Sequence, residues 1–175
     1  MAWTSPMTAS SGSVFTASQF NTNVRDNLNQ TAPALVTAAG QIVVSTAANT
    51  LAARTPAQGF VTTGQTTTSA SYADLTTVGP VVTVTTGTQA IVGLYCSFFN
   101  SGSFTNWASF EISGATTAAA LDSTSVSLLI NSYVNLGATF LYTGLTAGSN
   151  TFQMQYKVNG GTGTFANRRL FVIPL

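Results

Sequence analysis

The chain has very little charge. Five Lys and Arg stand against four Asp and Glu in 175 residues, a net charge of +1, and there is no histidine. Charged residues make up 5% of the chain, where an ordinary soluble domain has about 25%. So small a net charge supplies no basic field for a nucleic-acid backbone or an anionic membrane surface. Without histidine, the commonest general base, metal ligand and near-neutral pH switch are all missing. Cysteine is as scarce: Cys96 stands alone, which excludes an intrachain disulfide and a cysteine zinc site. Long apolar runs are lacking too. Ala90 to Phe99 is interrupted by Gly93 and Ser97 and falls short of the ~20 residues of a membrane helix. The first residues, Met1 to Pro6, carry neither the basic nor the apolar stretch of a secretory leader. The expectation is synthesis in a cytoplasm without a signal peptide and no membrane insertion.

What is present is neutral polarity and a core. Thr (30) and Ser (18) supply 48 residues, and Asn and Gln another 20. Hydrophobic residues are 45%, aromatics 10%, and mean hydropathy is +0.30, enough apolar material for a folded interior. The length suits one domain and an appendage.

Three regions follow along the chain. Residues 1–32 carry a helix expected at about 17–29. Thr16 and Gln19 form a capping-box pair, Phe15 and Phe20 a hydrophobic staple, and Phe20, Val24 and Leu28 share one face. Pro33 closes the pattern by Thr31 or Ala32. So short a helix must dock its stripe, either on its own domain or on a partner. Residues 33–71 read as an extended or hairpin stalk and linker. Gln41–Thr46 is one short strand, Ala47–Asn49 the turn and Thr50–Arg54 the returning arm, while Gly64–Ser71 is a neutral linker that also permits an edge strand. Residues 72–175 show strands near 79–86, 90–99, 106–112, 125–130, 137–143, 151–158 and 164–173. The fold class expected is mainly β, with a C-terminal antiparallel β-sandwich of jelly-roll type. Thr151–Val158 alternates cleanly, and Ala90–Phe99 is apolar on both faces, as in a strand covered on both sides.

Catalysis finds no footing. No Gly-x-Ser-x-Gly, P-loop or dinucleotide fingerprint occurs, and the only acids are Asp26, Asp74, Glu111 and Asp122. Lys157, the only lysine, falls on the solvent face of its strand. The chain reads as a non-enzyme with no cofactor and no metal. Trp107, Tyr72 and Tyr133 are candidate sugar platforms, although Trp107 better suits a subunit interface or a covered sheet face. Arg168 and Arg169 are adjacent on a strand, so one faces inward and needs partners there.

The order Trp3…Pro6, then Thr16-Ala17-Ser18-Gln19-Phe20-Asn21-Thr22-Asn23-Val24-Arg25-Asp26-Asn27-Leu28, then Gly40 to Arg54, then Gly144 to Ile173, resembles small fibre-like virion proteins of tailed phages. They are of the minor tail protein, head fibre or capsid decoration type, especially in actinobacteriophages. Gln41 departs from the acidic residue usual after that glycine. The resemblance implies a homotrimer on the virion surface, attached to capsid or tail proteins through its N-terminus. Trp3, Phe15, Phe20, Val24 and Leu28 would dock to the particle. Ile42, Val43, Val44 and Leu51 would pack along the trimer stalk, and the sandwich would project toward host surface glycans.

Overall fold

The computed structural model describes residues 3–5 and 7–175. The chain divides into two compact units, one before Pro56 and one from Pro56 to Pro174.

In the first unit the capping box forms as the sequence predicts. The Gln19 amide donates to Thr16 Oγ1 at 3.2 Å, and the Thr16 amide donates to Gln19 Oε1 at 2.9 Å. The Phe15 and Phe20 rings meet edge to face at 6.1 Å. The helical run comprises α1 (Ala17–Phe20), a π-type turn (Asn21–Arg25) and α2 (Asp26–Leu28). The wide middle turn lies where Asn23 and Asn27 each donate a side-chain amide to the carbonyl four residues earlier, at 3.1 and 3.0 Å. Those bonds occupy acceptors that the regular helix uses. Pro33 does not simply end the helix. It lies in the first turn of a second one, α3 (Ala32–Leu35), where its missing N–H is harmless. β1 (Ile42–Ala47) and β2 (Thr50–Arg54) form the expected hairpin, with Asn49 left-handed at the turn (φ 57°). Asn27 holds the N-terminal segment to the helix, accepting from the Thr4 amide at 2.8 Å and donating to its carbonyl at 3.0 Å. The Trp3 amide bonds the Asn49 carbonyl. This unit is a hydrogen-bonded frame. Among its described residues only Asn27 is buried, and no apolar side chain is.

The second unit is a β-sandwich. One sheet has the order β5 (Val81–Thr86), β10 (Gly148–Val158), β7 (Phe104–Gly114), β8 (Val126–Ile130). The other has the order β3 (Ala57–Val61), β11 (Gly163–Pro174), β6 (Gln89–Asn100), β9 (Val134–Thr143), with β4 (Gln65–Thr67) also on β11. The strands pair from the outside inward: β3 with β11, β5 with β10, β6 with β9, and β7 with β8. That is a long antiparallel hairpin rolled into two sheets, the jelly-roll connection. Between the sheets lie Val92, Leu94, Phe98, Phe110, Phe152, Met154, Tyr156, Phe165, Leu170 and Val172, all buried.

One expectation is corrected. Residues 57–61, assigned to the stalk, form a strand of the sandwich, while 65–67 form the edge strand that the threonine-rich linker also permits. Their Ala, Gly and Thr content carries weak strand signal, and their order comes from pairing with β11, about a hundred residues later. Within one chain β6 is covered by the core on one side. Its even-numbered residues enter the core, while Ile91, Tyr95 and Phe99 face outward and are half-buried.

A bulge in β11 sets the arginines. Asn167 is left-handed (φ 47°) and the register with β6 slips between Ala166 and Arg169, so Phe165 and Leu170 both reach the core despite their odd spacing. Arg168 turns inward and is fully buried. Its guanidinium donates to the carbonyls of Thr77 (3.2 Å), Gly79 (3.0 Å) and Thr63 (3.4 Å) and to Gln65 Oε1 (3.4 Å). Arg169 turns outward onto the Phe60 ring at 3.9 Å.

Candidate functional site

The most organised polar cluster lies on the outer face of the β5–β10–β7–β8 sheet. Register places Lys157 on β10 directly beside Trp107 on β7. Residue 73 bridges Tyr156 through two backbone hydrogen bonds of 3.0 and 3.1 Å, which sets Tyr72 on the other side of Lys157. The Lys157 ammonium therefore lies 4.7 Å from the Tyr72 ring centre and 4.9 Å from that of Trp107. Asp122 enters from a 3₁₀ turn, Asp122–Thr124, which the Ser109 hydroxyl ties to the sheet through the Leu121 carbonyl at 2.9 Å. Its carboxylate pairs with Lys157 Nζ at 2.6 Å and accepts from the Tyr72 hydroxyl at 2.9 Å.

The electrostatics follow from this geometry. Bonds from Lys157 and then Tyr72 hold the Asp122 carboxyl below the usual carboxylate range. Burial, and then the Asp122 acceptor, push the Tyr72 hydroxyl well above the usual phenol range. Along the same face Gln153 donates to Asp74 at 2.8 Å, and Glu111 lies opposite Gln153 in register. Three of the four acids and the single lysine thus share one sheet face. The ammonium is held as an ion pair between two π-faces, so a ring stacking there has to use the opposite faces of Tyr72 and Trp107.

The three aromatics predicted as sugar platforms do not come together. Tyr72 and Trp107 flank Lys157, while Tyr133 lies apart, 71% exposed and stacked on Phe99 at 4.8 Å. Lys157 and Asp122 were not singled out as site residues. Alternation placed Lys157 outward, and only the β7–β10 register reveals its neighbours.

The predicted docking residues lie on the first unit. Trp3, Phe15, Phe20 and Leu28 are exposed, at 41, 52, 48 and 59%. Val24 is half-buried in a groove of about 430 Å³ with Met7, Ala9, Phe15 and Asn23. Trp3 lines a cleft of about 310 Å³ with Gln30, Asn49 and Leu51. Of the predicted stalk residues, Ile42, Val43 and Val44 are half-buried and Leu51 is exposed. Among the described residues no three His, Cys, Asp or Glu side chains converge as a metal site, and no helix is long and apolar enough to cross a membrane.

No protein-family model matches the chain, and no curated protein sequence does. Among solved structures the chain is similar to Eiger TNF from S. frugiperda, at a TM-score of 0.36 and 9% identity, over 67% of this chain and 93% of that one. It is also similar to an arabinose-bound α-L-arabinofuranosidase, at a TM-score of 0.34 and 15% identity, over 82% of this chain and 24% of that one. Superpositions this loose carry no inference about function.

Proposed function

We propose that the chain is a structural protein of a tailed-phage particle, a homotrimeric fibre, spike or decoration protein. It attaches through its first unit and presents the jelly-roll sandwich outward. The observation that carries this reading is the first unit itself: a specific hydrogen-bonded frame with no buried apolar side chain among its described residues, and with Trp3, Val14, Phe15, Phe20, Leu28 and Leu51 exposed. A unit of that kind gains its stability from what covers it. Among its described residues one ion pair forms, Arg25 to Asp26 at 2.8 Å. The role is non-enzymatic, with no cofactor. The partners are copies of the chain, then capsid or tail proteins, and the place is the virion surface.

Deleting residues 1–30 is the test. The truncated chain should keep the sandwich fold by circular dichroism and fail to join particles; incorporation at the wild-type level would overturn the docking assignment. Light scattering on the full chain gives the oligomeric state, and a folded monomer near 18 kDa would remove the trimer.

A carbohydrate-binding role is the second reading, favoured by the convergence of Tyr72 and Trp107 on an amide-rich face. Trp107→Ala should then abolish binding on a glycan array; no glycan bound by the parent chain would end it.

A further inference from the structure

The two outer faces of the sandwich differ in chemistry. On the β3–β11–β6–β9 sheet the outward side chains form three rows in register: Phe60, Arg169, Tyr95, Gly137; then Gln58, Phe171, Gly93, Thr139; then Ile173, Ile91, Leu141. Gly93 and Gly137 leave the surface level, and the Phe171 ring lies in the space over Gly93. Phe60, Phe171 and Leu141 are 45, 38 and 60% exposed. Those three side chains leave on the order of 250 Å² of apolar surface, about a third of the ~800 Å² that one partner contributes to a standard interface. Neutral Gln58, Thr139 and Thr143 border it. Its only charge is Arg169.

The opposite outer face carries the complement. Among the described residues of the sandwich, Arg169, Asp74 and Glu111 form no salt bridge, while Asp122 is paired with Lys157 and Arg168 is buried. The Glu111 side chain also makes no hydrogen bond, and its row reads Val81, Gln153, Glu111. Within one chain the thickness of the sandwich separates Arg169 from Glu111. Two copies can bring them together.

We propose that the Phe60–Phe171–Leu141 face is an interface between copies of this chain, seated on the Glu111-bearing face of the next copy with Arg169 against Glu111. The contact is head to tail between opposite faces of the sandwich, so it stacks copies in line and is separate from the contact that closes the trimer; opposite charges fix its register. This rests on the reading of the chain as a self-assembling particle protein.

The test uses full-length chains carrying Arg169→Cys or Glu111→Cys, co-expressed with different tags and oxidised mildly. Cys96 is fully buried and does not interfere. Mixed R169C–E111C dimers should exceed both like-with-like products at least threefold. A predominance of R169C–R169C would show the face meeting its own counterpart and overturn the proposal, as would no cross-linking in a chain that light scattering shows to be oligomeric. In parallel, Arg169→Glu and Glu111→Arg should each weaken assembly about tenfold, and the double swap should restore it to within threefold. Double-swap assembly no stronger than that of the weaker single variant would also overturn it. A monomeric parent chain overturns the underlying reading instead, so the two failures are distinguishable.

Discussion

Gly93 shows how finely one position sets the outer sheet surface. A Cβ there would run into the Phe171 ring, so the ring has to leave its seat. Gly93→Ala should cost about 1–3 kcal/mol in urea denaturation, and most of that should vanish in a Phe171→Ala background. A cost that persists there would show that the ring is not the obstacle. Arg168 is the opposite case, a buried charge that forms no salt bridge and is solvated by three carbonyls and one amide oxygen. Arg168→Ala leaves those acceptors without their donor and should lower stability by at least ~3 kcal/mol. Arg168→Lys keeps the charge, but its single ammonium cannot reach Thr63 and Gly79 as a fork does, so an intermediate loss is expected. An unchanged urea midpoint in both variants would contradict this account. Burial pushes the Cys96 thiol up to about 12. Its thiol should therefore resist alkylation at pH 8 until the sandwich unfolds, and labelling faster than unfolding would show a local opening instead.

Among the elements, the turn at 122–124 and the segment around Tyr72 meet at one lysine, in addition to the Ser109 and Tyr156 bonds that tie each to the sheet. Asp122 has a depressed folded-state pKa, so its contribution is complete above its unfolded value of ~3.9 and is lost as pH falls through the lower folded value. Replacing Lys157 with Met should raise the Asp122 pKa toward the ordinary range, as read by carboxyl-carbon NMR, with the Tyr72 bond still holding it slightly below. An unmoved value would assign the effect elsewhere. How far the elements were legible depended on whether their signal was local. The capping box, the β1–β2 hairpin and the alternation of β10 are written in adjacent residues, and all three form as expected. β3 is not, because a segment centred on Gly59 becomes a strand only beside β11, and the threonines of β4 only permit one. The same holds for the candidate site. Alternation places Lys157 outward and Trp107 opposite Phe110, but their convergence with Tyr72 depends on the β7–β10 register and the residue 73–Tyr156 bridge, which no local pattern encodes. The wide turn at Asn21–Arg25 was equally hidden, since it comes with two asparagine amides bonding backbone carbonyls where a regular helix was expected.

At the scale of the whole chain, the two units rest on different physics. The sandwich has a continuous apolar interior, whereas the first unit has hydrogen bonds and exposed apolar side chains. Amides of residues 17–54 should therefore exchange with solvent much faster than those of β6, β10 and β11 in the dispersed chain, and gain protection on assembly. Protection in the dispersed chain equal to that of the sandwich would show that the first unit is stable without a cover. Limited proteolysis should cut before Pro56 and leave a resistant fragment that includes β3; a cut after residue 71 would return that strand to the linker.

The outside-in pairing of the strands also bears on how the protein is made. β3 begins at Ala57, and its partner β11 runs from Gly163 to Pro174. On the ribosome, at ~5–20 residues per second, β3 waits roughly 5–20 s for the strand that completes it. A chain released early by a premature stop lacks the central strand of one sheet and the arginine that gathers the Thr63, Thr77 and Gly79 carbonyls. The sandwich can close only once β11 has emerged, so its two sheets are completed late in synthesis.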